Sequence, residues 1–255
     1  MTDLLHGVRA KIGRAQEHFE SLKTEIVAGS DQLPAITIAS EFDPQTQTVS
    51  VKIVELPEVP DRWMLIAADA LQNWRASLNH LAWSLAELHL TRQGINREPH
   101  WQTEFPIATE AKNFRRTMTQ DLDSVHQTII EGLQPYQRGN MAVAEPLAFL
   151  QRLSNRDKHR FFQAGFNNAA EMLVGRHSTQ DCLVTHSNYF ILSPLQVGAE
   201  WAKYQVTPTG PNPQVYMEPE ITLAVAFSDG FSVIKVLTDI DTTVTDIIRT
   251  FEPFF

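Results

Sequence analysis

The chain has 255 residues, 43% apolar and 20% charged, which is ordinary globular composition with ample material for a core. With 30 acidic against 21 basic residues the formal charge is −9, so the average surface repels nucleic acid and anionic lipid, and any RNA contact needs a local basic patch. Cys182 is the single cysteine, which excludes an intramolecular disulfide and a cysteine-built metal knuckle.

Residues 1–19 carry scattered charges and no apolar run, unlike a signal peptide. No stretch approaches the roughly 18 consecutive apolar residues of a membrane span. By elimination the expected protein is soluble and cytoplasmic, with no membrane partner.

Leu5, Val8, Ile12, Ala15, Phe19, Leu22 and Ile26 step by three and four residues and predict a helix with one buried face. Asp3 is placed to cap its start, and Gly29 marks its end. Ile36 and Ile38, then Val49, Val51 and Ile53, alternate with polar residues around Asp43-Pro44 and predict a β-hairpin. Pro57 and Pro60 end the second strand, and Asp61 is placed to cap the next helix, predicted from Arg62 to Leu90. In it Leu71, Trp74, Leu78, Leu81, Leu85 and Leu88 form a narrow seam. Ala67, Ala68, Ala70, Ala76, Ala82 and Ala86 put small side chains on the other faces, as expected of a helix approached from more than one side.

Short helices are expected between Asn113 and Ile130, a loop from Gln134 to Asn140, and a further helix from Glu145 to Gly165 with Pro146 in its first turn. Beyond Gly175 the runs Leu183 to Leu192, Trp201 to Val206 and Ile221 to Leu237 are strand-prone. Asp229-Gly230 predicts a hairpin between Ala224–Phe227 and Phe231–Ile234. A short closing helix, Thr243 to Phe251, shows Val244, Ile247, Ile248 and Phe251 on one side.

The expected architecture is therefore one α+β domain over 1–255. It has an N-terminal helix and β-hairpin, a central helical bundle (about 61–175), and a C-terminal antiparallel sheet (about 180–255) with a closing helix. There is no βαβ alternation and no glycine-rich phosphate loop, so a doubly wound nucleotide-binding fold is not expected.

Two segments hold unusual polar residues. At 100° per residue Asp69, Asn73 and His80 share a narrow arc opposite the leucine seam, while Arg75 and Asn79 lie on a flank. Between Asp69 and Trp83 there is no Lys or Glu, the usual surface choices. In the second segment Asp157 falls on the apolar stripe of Leu147, Leu150, Ser154 and Phe161, where a carboxylate needs a partner such as Arg75 or Arg156. Asn155 and His159 occupy a second face near Arg152, and Arg152, Arg156, Lys158 and Arg160 make this stretch locally basic. The plain alternatives are a solvated face for the first segment and a structural ion pair for Asp157.

Asp69-Ala-Leu-Gln-Asn-Trp-Arg-Ala-Ser-Leu-Asn-His-Leu-Ala-Trp83, Phe105-Pro-Ile, Gln134-Pro-Tyr136 and Leu150 through Asn155-Arg-Asp-Lys-His-Arg160 resemble, in that order, an uncharacterised bacterial family. Its motifs read "GDALHNLRSALDHLAW", "FPI", "QPY" and "LxxLxNxDKHR". Here Asn79 stands where that family usually has Asp, and Ala68 where it has Gly. Arg75-Ala-Ser-Leu-Asn-His80, and Arg152 to His159 by spacing, also resemble the R-x4-6-H pattern of the HEPN superfamily of helical ribonucleases. That resemblance implies metal-independent RNA cleavage, with His80 and His159 activating the ribose hydroxyl and Arg75 and Arg152 steadying the phosphate, across the helix pair or a homodimer.

Asp69, His80, Asp157 and His159 could be drawn as a metal site, but no ligand spacing supports one, and no cofactor is expected. Ser84, Ser154 and Cys182 lack a nucleophile context. His100, His126, His177 and His186 are isolated and read as surface or turn histidines, and Trp63, Trp74, Trp83 and Tyr136 as packing. Three readings follow: RNA cleavage, a pocket binding a small anionic or polar ligand through Arg75, Arg156 and Asn79, with Asp69, Asn73, Asn155 and Asp157 as further binding positions, or a buried network that fixes the helices.

Overall fold

The computed structural model describes residues 3–30, 32–157, 164–168, 177–190, 194–217 and 223–255. They form a mixed α+β fold that gathers into two compact units interleaved along the chain. The first comprises Met1–Glu25, Arg62–Phe162 and Ile234–Phe255, and the second Ile26–Asp61 and Gln163–Val233.

The helical unit is built on α1 (His6–Ser30), α2 (Asp61–Arg92), α3 (Ser124–Gly132), α4 (Pro146–Asp157) and α5 (Val233–Phe251). Asp3 caps α1, its Oδ1 accepting the Leu5 N–H at 3.0 Å. On α2 the seam residues Leu71, Trp74, Leu78, Leu81 and Leu85 are fully buried, and so are Ala67, Ala70, Ala82 and Ala86 on its other faces. A helix covered on several sides needs small residues where neighbours come close. α1 runs antiparallel to α2, with Phe19 edge-on to Trp74 at 5.7 Å and Arg62 donating twice to Glu25. α5 joins the same core: Asp241 Oδ1 accepts from the Trp74 indole at 3.0 Å and from Gln16 at 3.1 Å.

The strand-rich unit carries β1 (Thr37–Asp43), β2 (Thr48–Glu55), β3 (Ala164–Asn168), β4 (His177–Gln180), β5 (Cys182–Tyr189), β6 (Glu200–Pro208), β7 (Gln214–Met217) and β8 (Leu223–Phe227). Among the described residues β1-β2-β6-β5 is one antiparallel sheet, while β3 pairs with β8 and β4 with β7. The β1–β2 hairpin turns through Asp43, which accepts from the Gln45 N–H and the Thr46 hydroxyl, and through Gln47 at φ 53°. Inward residues Val49, Val51, Cys182, Ala202, Tyr204, Val206 and Val215 form its core, the alternation expected of a sheet with one buried face.

Four expectations are corrected. The helix expected to reach Gly165 is helical only to Asp157 among the described residues, and 164–168 is strand β3, with Gly165 opposite Ala226. Ala-Gly-Phe-Asn-Asn is a weak helix former, and the tertiary partner β8 decides its state. The hairpin expected at Asp229-Gly230 is only a turn. Gly230 takes φ 85° and one bridge forms, Ala226 to Ser232, before α5 begins at Val233. The β-branched residues of 233–244 carry a helical period that wins: Val233, Val236, Leu237, Ile240 and Val244 are all buried. Most of the expected loop is a 3-10 helix, Pro135–Ala144, kinked at Gly139. His126 is not a surface residue: it is 3% exposed, edge-on to Phe254 at 4.5 Å and to Phe251 at 6.0 Å.

No helix among the described residues is long and apolar enough to cross a membrane.

Candidate functional site

Within the helical unit an extended segment, Phe105–Ala108, runs past α2 without a strand partner. Its backbone polar groups are buried, so they require other partners. Side chains supply them. Arg75 Nη1 donates to the Phe105 carbonyl at 2.8 Å, and the Phe105 N–H donates to Asn79 Oδ1 at 3.3 Å. Gln134, 1% exposed, donates to the Pro106 carbonyl and accepts from the Ala108 N–H, and the Tyr136 N–H closes on the Ala108 carbonyl. The residues of three motifs noted in the sequence thus meet in one clamp. Arg75 and Asn79 sit four apart on one flank of α2, the spacing that lets both reach the backbone of a single residue, Phe105.

Arg75 does not end at that clamp. Its guanidinium also lines a cavity of about 260 Å³ bounded by Glu104, Pro106, Ile107, Asn113, Arg115, Met118 and Gln151. Arg75 is 9% exposed, and burial pulls its pKa below the ordinary value while the Glu104 charge pulls it back. An arginine stays charged under such a shift. Glu104 Oε2 stands 3.6 Å from Nη2, an ion pair beyond hydrogen-bond length. The rest of the five N–H donors of Arg75 have no acceptor among the described residues. Gln151, on α4, also lines the cavity, while its Oε1 is buried away from it and has no donor. Arg115 and Asn113 stand exposed at the rim, contributed by short 3-10 turns. A buried cation short of acceptors, facing a cavity, is complementary to a small molecule that carries an anionic acceptor.

The other predicted residues lie elsewhere. His80 is exposed and rests against α1, where a Cβ on Gly7 would come within 2.7 Å of its Nδ1. Five residues turn a helix by about 500°, so Arg75 and His80 leave α2 about 140° apart. Asp69 is exposed. Asn73 Nδ2 donates to its carbonyl at 2.9 Å, and Lys11 Nζ reaches Asn73 Oδ1 at 3.5 Å. These residues border the α1 contact and do not join the cavity. Asp157, partly buried, accepts from Gln72 Nε2 at 2.9 Å, and the same amide donates to the Ser154 carbonyl, tying α4 to α2. An amide from α2 thus fills the role expected of an arginine. Arg152 is exposed with its guanidinium over the Phe149 ring at 4.6 Å; Asn155 is exposed and Arg156 half-buried. His159 lies outside the described residues.

Among the described residues no three His, Cys, Asp or Glu side chains converge as metal ligands. The sequence reading missed Glu104, Arg115 and Gln151. The first two sit in irregular chain that carries no periodicity, and Gln151 stands in a helix as an unremarkable polar residue. Glu104 does directly precede Phe105-Pro106-Ile107, the one local signal available. Compared with models of known families, with characterised proteins and with solved structures, the chain matches none.

Proposed function

We propose that the chain is a binding module for a small anionic ligand, held in the cavity between α2, α4 and the segment 104–118. One observation carries this reading: the buried Arg75 guanidinium faces open space with unused donors and only a partial counter-charge, Glu104 at 3.6 Å. An ionic acceptor there would make short charge-assisted hydrogen bonds, the strongest polar contacts a site of this kind offers. Arg115 at the rim adds a second cation on the approach. The cavity is smaller than the roughly 300–1,000 Å³ of drug-sized sites, so the ligand is small.

RNA cleavage by Arg75 with His80 is the reading we set second. It asks both side chains to reach one phosphate, and on α2 they diverge.

The test is calorimetric titration of the protein with acetate, propionate and inorganic phosphate, repeated with Arg115→Gln. Saturable binding that weakens severalfold in the variant supports the reading. Absence of binding by every anion, or binding unchanged by Arg115→Gln, contradicts it. Arg115 is chosen because, unlike Arg75, it takes no part in the Phe105 clamp.

A further inference from the structure

The class of anion follows from where the donors stand. Arg75 reaches the cavity from α2, while Arg115 and Asn113 belong to the short 3-10 turns of segment 104–118. Side chains carried on separate elements approach one space from different directions. A carboxylate offers two oxygens in one plane, and a single guanidinium fork takes up both. A tetrahedral oxyanion offers four oxygens turned outward on all sides, so it can accept from both guanidiniums and the Asn113 carboxamide together. Charged and amide side chains make up most of the lining, with little apolar wall for a hydrocarbon tail.

Glu104 is the resident counter-ion, and its hold is weak. Its Oε2 stands 3.6 Å from Arg75 Nη2, beyond hydrogen-bond length, and its side chain is 48% exposed. A half-exposed ion pair contributes little, so turning this carboxylate out to water costs little. Arg75 by contrast is buried, and it gains most from an acceptor in direct contact. A dianion also brings twice the charge of the carboxylate it replaces. Resting on the anion-binding reading above, we propose that the ligand is a tetrahedral dianion, free phosphate or sulfate or the phosphate of a small monoester, and that it displaces Glu104 from Arg75. A volume of about 260 Å³ takes such an ion and excludes a nucleotide. Glu104 then sets the threshold for binding as a built-in competitor.

Calorimetric titration above neutral pH, where phosphate is dianionic, compares inorganic phosphate, sulfate, methyl phosphate and propionate. The tetrahedral anions are expected to bind tighter than propionate by about tenfold or more. Asn113→Ala narrows that gap, because the carboxylate makes no use of the amide. Glu104→Gln, at an exposed position, tightens every anion by about two- to fivefold. Equal binding of methyl phosphate and phosphate identifies a monoester as the ligand, and rejection of methyl phosphate identifies the free ion. Propionate binding as tightly as phosphate and sulfate, or affinity unchanged or weakened in Glu104→Gln, overturns the inference while the anion site stands. No binding by any of the four overturns both.

Discussion

Arg75 Nη1 and the Phe105 carbonyl lie 2.8 Å apart, so one guanidinium both secures a backbone segment and presents its remaining donors to a cavity. The rigid half of that side chain places the half a ligand would meet. Binding sites hold their geometry best when the contacting side chain is itself fixed by neighbours.

Removing this anchor costs stability apart from any ligand. Arg75→Ala leaves the Phe105 carbonyl buried and unpaired, and is expected to lower unfolding free energy by about 1–3 kcal/mol in urea denaturation. Arg75→Lys cannot keep both the carbonyl contact and the fork presented to the cavity. It recovers part of the stability and little of the anion affinity. A loss of affinity in Arg75→Lys equal to that of a surface control would contradict the double role.

Gln134 is the second test of the clamp. It makes three hydrogen bonds to buried backbone, with Pro106, Ala108 and Ile130. Gln134→Leu is expected to cost about 2–4 kcal/mol, more than Asn79→Ala, which loses one longer bond. Urea denaturation of both variants orders them, and a smaller effect at Gln134 would show that the segment is held by packing alone.

Gly7 and His80 form a tight pair, because a Cβ at Gly7 would meet the imidazole at 2.7 Å. Gly→Ala inside a helix ordinarily stabilises by about 0.5–1 kcal/mol. That gain is expected only in the His80→Ala background, and it is lost or reversed in the wild type. A double-mutant cycle measures the coupling. Additivity within about 0.3 kcal/mol would mean that the ring swings aside without cost.

His126 makes stability depend on pH. Burial holds its pKa below the ordinary 6.5, opposed by Asp123 and reinforced by Arg92 and His89, the charged and titratable groups around it. Its Nδ1 has no hydrogen-bond partner. The sign follows from proton uptake. Below pH 6.5 the unfolded imidazole binds a proton that the folded one resists, so stability is complete above that pH and falls as pH falls below it. His126→Phe, which suits the contacts with Phe251 and Phe254, flattens the dependence of the urea midpoint on pH in this range. An unchanged slope would place the titration on another group.

Much of this architecture is readable from side-chain spacing. The three-four repeat of Leu71 to Leu85 and the alanines around it announce a helix enclosed on several sides, which is how α2 is found. Where spacing is ambiguous, partners decide: the β-branched start of α5 reads as strand until its burial shows a helical period, and β3 depends on β8. Of the site, Arg75 and Asn79 stand out because they lie on the flank of a helix whose stretch from Asp69 to Trp83 holds neither Lys nor Glu. Their target does not, since Phe105 is 30 residues away from Arg75 and nothing local encodes that meeting. Glu104, Arg115 and Gln151 are ordinary residues made special only by a shared cavity.

The central claim is that the cavity behind Arg75 is a ligand site, and side-chain amide NMR tests it most directly. Propionate and then inorganic phosphate are titrated while the Arg75 Nε–H and the Gln151 carboxamide signals are followed, assigned through Arg75→Lys and Gln151→Met. Both signals are expected to shift saturably, while the Gln134 carboxamide stays still. If neither ligand moves Arg75 or Gln151, the cavity is not the site.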